Sequence, residues 1–205
     1  MRRSFCGGIV AFALLAFPVV PAVAQETSTP IFKAPYRAFD NHEFGASLSD
    51  GGEGAEFALE GFYRIGKGAN DFSVRGGFAD VEGSDTRFLI GGDFRTQVVN
   101  YSESFPLDGA LTLGFGGLFG EGDDLFLLPV GISLGRRFDV EGSSTTFVPY
   151  VHPNIIPAFG GGGDDDVLFA LGLGVDVRFS ERWAVRASGG IGDIEGVGIS
   201  LAYIR

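Results

Sequence analysis

The chain of 205 residues is short of cysteine and of basic residues, and each shortage excludes a class of protein. Cys6 is the one cysteine, so no disulfide framework is expected. The 26 acidic residues outnumber the 15 basic ones, and a net charge of −11 argues against nucleic acid, whose phosphates need a basic patch. Beyond residues 9–20, Gly, Asp or Arg interrupts every apolar stretch, so we expect no membrane-spanning helix.

The first 24 residues have the three parts of a secretory signal peptide. Arg2 and Arg3 form a basic n-region, residues 9–20 form an apolar core, and residues 22–24 (Ala-Val-Ala) form a cleavage site of small residues. The apolar core is shorter than the roughly 20 residues that a spanning helix needs. We therefore expect residues 1–24 to be removed. Residues 25–41, which are aperiodic and contain two prolines, are expected to form a periplasmic lead-in to a domain at 42–205.

Ten segments with the two-residue period of a β-strand follow the lead-in. They cover approximately residues 42–49, 54–65, 71–80, 86–97, 108–120, 125–138, 145–157, 167–179, 183–191 and 196–205. Most are close to the roughly 9–11 residues that a tilted spanning strand needs. An even count places both ends of the domain on one side, as closure requires. We predict an all-β fold, a closed antiparallel up-and-down transmembrane β-barrel of ten strands. Eight strands is the alternative if segment one or the 97–108 connection is misassigned.

Fourteen aromatic residues lie on the apolar face of these segments, near the two segment ends. Between them the same face carries Leu, Val, Ile, Ala and Gly, while the opposite face carries Gly, Ser, Asp, Glu and Arg. An apolar band between two aromatic girdles, with a polar lumen, is typical of an outer-membrane barrel. The first predicted girdle is Phe57, Phe78, Phe88, Phe119, Phe126 and Phe169; the second is Tyr63, Phe72, Phe94, Phe138, Phe147, Phe179, Trp183 and Tyr203.

Alternation alone leaves open which face points outward, because a soluble barrel would enclose the apolar face. Two features favour the membrane barrel. The polar face is rich in glycine, which weakens a strand and is hard to justify on a solvated surface. It also has arginine and no lysine, and arginine suits enclosed, multidentate pairing with carboxylates. A secreted soluble barrel that binds an apolar ligand stays open as the alternative.

Charged residues of the polar face are expected to line the lumen. They are Glu43, Glu56, Glu60, Arg64, Arg75, Arg87, Asp93, Arg95, Arg137, Asp176, Arg178 and Arg186. Two interpretations stay open: a porin-like constriction that selects small ions or solutes, or a salt-bridge network that plugs the barrel. The second follows because enclosed charges must be paired and small barrels are filled by side chains.

His152 is the histidine predicted to face the lumen, where a hydrogen-bonding role is expected. A barrel-embedded lipid hydrolase or protease would need a nucleophile or carboxylate beside it. No serine stands two residues away, and no other motif supports catalysis. We therefore expect no enzyme activity, no catalytic or metal-binding residue and no cofactor, with the hydrolase kept as an alternative.

Five short connections are glycine-rich and acidic, and they hold 13 of the 26 acidic residues and no basic residue. They are residues 50–53, 80–85, 120–124, 160–166 and 192–196. Because they alternate with the other connections, all five lie at one end, which faces the outside if the N-terminus is periplasmic. We expect solvated turns, which could hold loosely bound divalent cations through their carboxylates.

Three segments resemble the small bacterial outer-membrane β-barrel proteins, the OmpA/OmpX and opacity-like group. They are residues 125–138 (LFLLPVGISLGRRF), 167–188 (VLFALGLGVDVRFSERWAVRAS) and 196–205 (GVGISLAYIR). In that group a Gly-x-Gly strand ends in an aromatic, a short polar turn follows, and the next strand opens with an aromatic.

The resemblance implies a location in the cell outer membrane, contact with outer-membrane lipid and assembly by the barrel-insertion machinery. In the group that machinery reads a final strand ending in Phe or Trp, whereas this chain ends in Tyr203, Ile204 and Arg205. The function expected from the sequence is a non-enzymatic one, either structural or a narrow pore for small solutes.

Overall fold

The computed structural model describes residues 42–50, 55–81, 86–163 and 165–205. The predicted signal peptide (1–24) and lead-in (25–41) lie outside these residues, as do parts of the acidic connections. The strands of the described part are β1 (His42–Asp50), β2 (Ala55–Lys67), β3 (Asn70–Val81), β4 (Arg87–Val99), β5 (Asp108–Phe119), β6 (Leu125–Leu127), β7 (Val130–Gly135), β8 (Phe138–Asp139), β9 (Thr146–Gly160), β10 (Asp166–Arg178), β11 (Trp183–Gly192) and β12 (Gly196–Ile204). No helix in these residues is long and apolar enough to cross a membrane.

The strands close into a barrel. Neighbouring strands pair antiparallel in chain order, and β12 returns to pair with β1. The short strands β6, β7 and β8 occupy a single strand position of the barrel, because all three pair with β9. We call each strand position a wall. The molecule is therefore a closed barrel of ten walls. The ten-stranded prediction is confirmed, and the eight-stranded alternative is wrong.

Three prolines of β9 explain why the β6–β8 wall is interrupted. Pro149, Pro153 and Pro157 lie opposite residues 136, 132 and 128, and the pairing is missing at 136–137, 132–133 and 128–129. Proline has no N–H and cannot complete its half of a ladder pair. The register stays in phase across the three gaps, so the wall is continuous although its ladder is broken.

Alternation places the apolar face of the strands on the outside of the barrel. Aliphatic side chains such as Ile90 and Val197 are 57% and 62% exposed there. We call these outward aliphatic side chains the apolar belt. A soluble barrel would need the same residues inside, so the observed orientation is that of the membrane-barrel prediction.

The predicted aromatic residues lie at both edges of the apolar belt and pair across strands. We call the barrel end that holds His42 and Arg205 the inner end, and the opposite one the outer end. Phe78 packs against Phe88 at the outer edge, with ring centroids 5.1 Å apart and the ring planes tilted by 52°. Trp183 meets Tyr203 edge-on at 5.1 Å at the inner edge.

Two further aromatics belong to these girdles although the sequence analysis did not include them. Phe44 packs on Tyr203 at the inner edge, with 5.2 Å between centroids. Phe159 pairs with Phe126 at the outer edge, two residues beyond the expected end of its segment.

Candidate functional site: the barrel lumen

The lumen has two zones along its length. Its outer half is lined by buried aliphatic side chains, which we call the apolar zone: Leu89, Leu118, Leu125, Leu127, Ile156, Leu168 and Ile194. Its inner half is lined by buried or half-buried arginine and carboxylate side chains, which we call the charged zone: Glu43, Arg64, Asp71, Arg95, Asp176 and Arg186. The alternation of the sequence predicts a polar lumen throughout, and the apolar zone corrects that prediction for the outer half.

Leu118 and Ile156 form the centre of the apolar zone, at 1% and 0% exposure. They come from β5 and β9, the two strands on either side of the interrupted wall. Side chains that fill a narrow barrel in this way exclude water and pack as a core. The outer half of the lumen is therefore packed mainly with apolar side chains.

A turn covers the outer end of the apolar zone. Ile194 lies in the acidic connection between β11 and β12, yet it is only 4% exposed. The turn is fixed by Asp193, whose carboxylate accepts a hydrogen bond from the Phe169 amide at 2.8 Å, and whose own amide donates to the Phe169 carbonyl at 2.9 Å. These bonds hold the turn folded inward, with Ile194 against the lumen.

Glu43 is the centre of the charged zone. The Arg186 guanidinium grips it as a fork, with Nη1 and Nη2 each 2.6 Å from one carboxylate oxygen. Arg64 Nη1 lies 3.3 Å from the same carboxylate, and Arg186 Nε lies 3.1 Å from Asp176. Forked, charge-assisted pairs of this kind are the stronger hydrogen bonds in proteins.

Asp71 extends the network to the next two strands. Its carboxylate accepts hydrogen bonds from Arg95 at 2.7 Å and 3.1 Å, and Arg64 Nε lies 3.9 Å from it. With Glu43, Asp176 and Arg186, the network joins β1, β2, β3, β4, β10 and β11. Buried charges are tolerated when they are paired, and here each cation meets at least one carboxylate.

Small residues on β12 allow this network to form. Arg186 stands on β11 and Glu43 on β1, so their fork crosses the strand between them. Arg186 lies opposite Ser200, which in turn lies opposite Ser47. Because these inward side chains are short, the long arginine passes over β12 to its partner.

A second group of charges lies between the two zones. Arg75 Nε is 3.6 Å from Glu60, and the guanidinium extends along the wall past Gly91 towards Gly116. A Cβ atom at Gly91 would come within 2.7 Å of Arg75 Nε, so glycine at this position leaves room for the guanidinium. Asp93 accepts a hydrogen bond from the Ser73 hydroxyl beside it.

Arg87 ties the outer end of the lumen to a turn. Its Nη2 donates to the Asp123 carbonyl at 2.5 Å and lies 3.4 Å from the Leu118 carbonyl. The side chain is 4% exposed although it stands at the outer rim. It therefore acts as a brace for the β5–β6 turn.

The wall opposite the charged zone holds neutral polar side chains. His152 Nε2 lies 2.8 Å from Thr112 Oγ1, and Asn154 donates to the His152 carbonyl at 2.9 Å. Ser133 is fully buried beside them on β7. The predicted hydrogen-bonding role of His152 agrees with these contacts. Tyr150 occupies the space above Gly174, where a Cβ would strike its ring.

The predicted lumen residues divide by their surroundings. The buried ones are Glu43, Glu60, Arg64, Arg87, Asp93, Arg95 and His152; the half-buried ones are Arg75, Asp176, Arg178 and Arg186. Of these, Arg178 donates to the carbonyl oxygens of Ser180 and Glu181 and so belongs to a turn at the inner end. The side chain of Glu56 lies outside the described residues.

Arg137 differs from its predicted position and needs a correction. Its side chain is 49% exposed and pairs with Asp139 at 2.9 Å. The physical reason is that β7 ends at Gly135, so Arg137 lies at the inner mouth of the barrel and not among the enclosed charges.

Asp71 and Thr112 are two of the polar lumen residues that were not predicted from the sequence. Asp71 has the same parity along β3 as Ser73 and Arg75, so the two-residue period contains the signal. Thr112 is uncharged, so its residue type does not mark it as a lumen residue. It contacts His152, which lies 40 positions further along the chain. The two-residue alternation shows which side of a strand a residue faces, but it does not show which residue of another strand it contacts.

The described residues contain no group of three or more His, Cys, Asp or Glu side chains that could hold a metal ion. The acidic connections are only partly described, because residues 51–54, 82–85 and 164 lie outside the described ranges. Loose cation binding at this rim stays a prediction.

No protein-family model matches the chain, and no curated protein matches it. Among solved structures, it is similar to a de novo designed transmembrane β-barrel at 16% identity and a TM-score of 0.42, covering 81% of this chain and 96% of that one. It is also similar to a bacterial polysaccharide outer-membrane secretin at 12% identity and a TM-score of 0.46, covering 80% of this chain and 65% of that one. A third similarity is to OmpT (in-vitro folded), an outer-membrane protein of Vibrio cholerae, at 14% identity and a TM-score of 0.30, covering 72% and 55%.

Proposed function

We propose that this chain is a structural, non-enzymatic barrel of the outer membrane whose lumen is closed to solutes. One observation carries the proposal: two fillings stand in series inside the barrel. The apolar zone fills the outer half and is capped by Ile194, while the charged zone joins six walls in the inner half. A solute would have to displace hydrocarbon packing and then separate enclosed ion pairs.

The membrane location is supported by the outside of the barrel. The apolar belt runs round the molecule between two aromatic girdles. A soluble monomer rarely exposes a contiguous apolar patch of more than a few hundred Å². The hydrocarbon of a bilayer cannot form hydrogen bonds with unpaired backbone N–H and C=O groups. A closed barrel has no open sheet edge, so it does not expose a row of such groups to lipid.

Fractionation and gel migration test the location. The protein should sediment with the outer membrane, need detergent for release, and migrate faster unboiled than boiled on a denaturing gel. Recovery from periplasm or medium without detergent would instead support the soluble apolar-ligand barrel.

Planar-bilayer recording tests the closure. Wild-type protein should give no stepwise conductance, because both zones block the lumen. The double variant Leu118→Ala with Ile156→Ala should leak, since it empties the centre of the apolar zone. The matched control is Leu113→Ala with Ile132→Ala, two outward aliphatics of neighbouring walls. Conductance by the wild type would contradict the closed barrel.

A narrow pore for small solutes is the second candidate. The side of the lumen formed by β10, β11 and β12 favours it. Asp176 and Arg186 keep 18% and 19% of their side-chain surface exposed, unlike the fully enclosed Asp71. Ser188 and Ser200 on the same side of the lumen are also half-buried. Wild-type conductance whose ion selectivity changes in Arg186→Ala would support a passage along this side of the lumen. A lumen hydrolase would need turnover of lipid that His152→Ala abolishes.

A further inference from the structure

Arg136 stands in a stack of rings at the inner edge of the apolar belt. Its guanidinium carbon lies 5.0 Å from the centroid of the Tyr101 ring and 5.2 Å from that of Phe138. Phe138 in turn stacks on Phe147, with centroids 5.3 Å apart and ring planes 16° apart. The order is Phe147, Phe138, Arg136, Tyr101, so the cation is held by two rings that are themselves exposed.

The connection between β4 and β5 is folded so that Tyr101 reaches Arg136. The Tyr101 amide donates to the Asp108 carboxylate at 3.0 Å, and Asp108 is buried at 7% exposure. Ser102 and Phe105 close the loop with two reciprocal backbone hydrogen bonds of 3.0 Å and 3.2 Å. A buried anchor and a closed loop position the ring, so the frame around the cation is built into the fold.

Arg136 faces away from the lumen. The register that joins β7 and β8 to β9 places it opposite Pro149, whose outward neighbours Phe147 and Val151 are exposed. Its amide donates to the Pro149 carbonyl at 3.3 Å. Among residues 42–50, 55–81, 86–163 and 165–205, its guanidinium has no carboxylate partner and no side-chain hydrogen bond. Its N–H donors are therefore available to a ligand on the membrane side.

The outward charges of the barrel differ between its two ends. Parity places Lys67, Arg136 and Arg205 on the outward side at the inner end, and Asp50 and Asp80 on that side at the outer end. The inner end thus attracts phosphate, and arginine offers phosphate a planar fork of donors. Of these three cations, Arg136 is the one that lies over aromatic rings in the described residues.

We propose that Arg136, framed by Tyr101 and Phe138, binds the phosphodiester of a glycerophospholipid headgroup at the inner rim of the barrel. Both rings lie within about 5 Å of the guanidinium carbon, and the guanidinium N–H groups donate to the phosphate oxygens. The acyl chains of that lipid lie along the apolar belt above. This site rests on the proposed membrane location and adds a specific lipid contact to it.

Native mass spectrometry of the purified mature protein in detergent tests the site, with dioleoylphosphatidylglycerol as the probe. Arg136→Gln should bind the probe roughly fivefold more weakly than wild type, because it loses a directed, charge-assisted contact with the phosphate. Tyr101→Leu keeps the charge and removes one ring, and it should fall between the two. Dioleoylglycerol, which has the same chains without phosphate, should not be retained.

Lys67→Gln is the matched control, because it removes an outward cation from the same end without a ring frame. It should change the affinity less than twofold. Equal losses in Arg136→Gln and Lys67→Gln would overturn the site, as would displacement of the probe by inorganic phosphate at equal concentration. Gel migration of the same samples separates the two proposals, since a variant that still runs as a folded barrel but binds lipid unchanged contradicts only the headgroup site.

Discussion

Two joints of the barrel show opposite solutions to the same pairing problem. The joint between β1 and β12, the first and last strands of the barrel, is paired without a gap from Glu43–Ile204 to Asp50–Val197. His42 and Arg205 add two reciprocal backbone hydrogen bonds beyond it, at 2.7 Å and 3.1 Å. The joint between β9 and the β6–β8 wall is interrupted three times, although it lies in the middle of the chain.

The difference follows from side chains as well as from the backbone. The terminal joint is bridged by the Arg186–Glu43 fork, which crosses β12 and ties β11 to β1. The proline joint has neutral polar residues behind it, with Ser133 and His152 on its two sides. In a bilayer, a missing ladder hydrogen bond cannot be replaced by water. We therefore expect the terminal joint to be the strong one and the proline joint the first to open.

Breaking the terminal joint should have the largest effect. Glu43→Ala leaves Arg186 and Arg64 enclosed without their shared carboxylate, and breaking a buried pair in this way costs about 3–5 kcal/mol of unfolding free energy. Urea unfolding of the refolded barrel, followed by loss of the fast-migrating gel band, measures it.

The control for this prediction is Asp139→Ala, which removes an exposed pair with Arg137 and one hydrogen bond from Thr146, and should cost no more than about 1 kcal/mol. A double-mutant cycle with Arg186→Ala isolates the fork. If Glu43→Ala and Asp139→Ala unfold at the same urea concentration, the fork does not hold the joint.

Blocking the path of Arg186 should have a smaller effect on the same joint. Ser200→Leu places a bulky side chain on β12 directly opposite Arg186, and overpacking of this kind typically costs about 1–3 kcal/mol. The matched control is Ile199→Leu, the outward neighbour on the same strand, which should be neutral. Equal stability of Ser200→Leu and wild type would show that the arginine does not need the short side chains of β12.

The architecture could be predicted from the sequence because alternation records which face each residue joins. Segment two shows this, since Phe57, Leu59 and Tyr63 are all outward in the structure. The zones of the lumen could not be predicted in the same way. Leu118 and Ile156 are inward by parity, but parity does not show that the aliphatic side chains of several strands form one cluster in the lumen.

The interrupted wall shows a different limit of sequence reasoning. Residues 125–138 alternate as one strand, and nothing in them other than Pro129 predicts a break. The cause lies in Pro149, Pro153 and Pro157 of the partner strand, and it becomes visible once the register is known. Periodicity describes one strand by itself, whereas the hydrogen-bond pairing depends on the residues of both paired strands.

Repairing the proline joint should give the smallest change in stability and a clear change in local exchange. Pro153→Val supplies the missing N–H opposite Ile132 and adds one ladder hydrogen bond, worth about 0.5–1.5 kcal/mol. Loss of the proline ring offsets part of this gain, because it makes the unfolded chain more flexible. Hydrogen exchange resolves the local effect, since exchange reports opening of individual segments. In the wild type, β7 amides should exchange faster than those of β1, and Pro153→Val should slow β7 and leave β1 as it was. Val151→Ile, an outward change that adds no donor to the same strand, should slow neither, and equal wild-type protection of β7 and β1 would remove the distinction between the two joints.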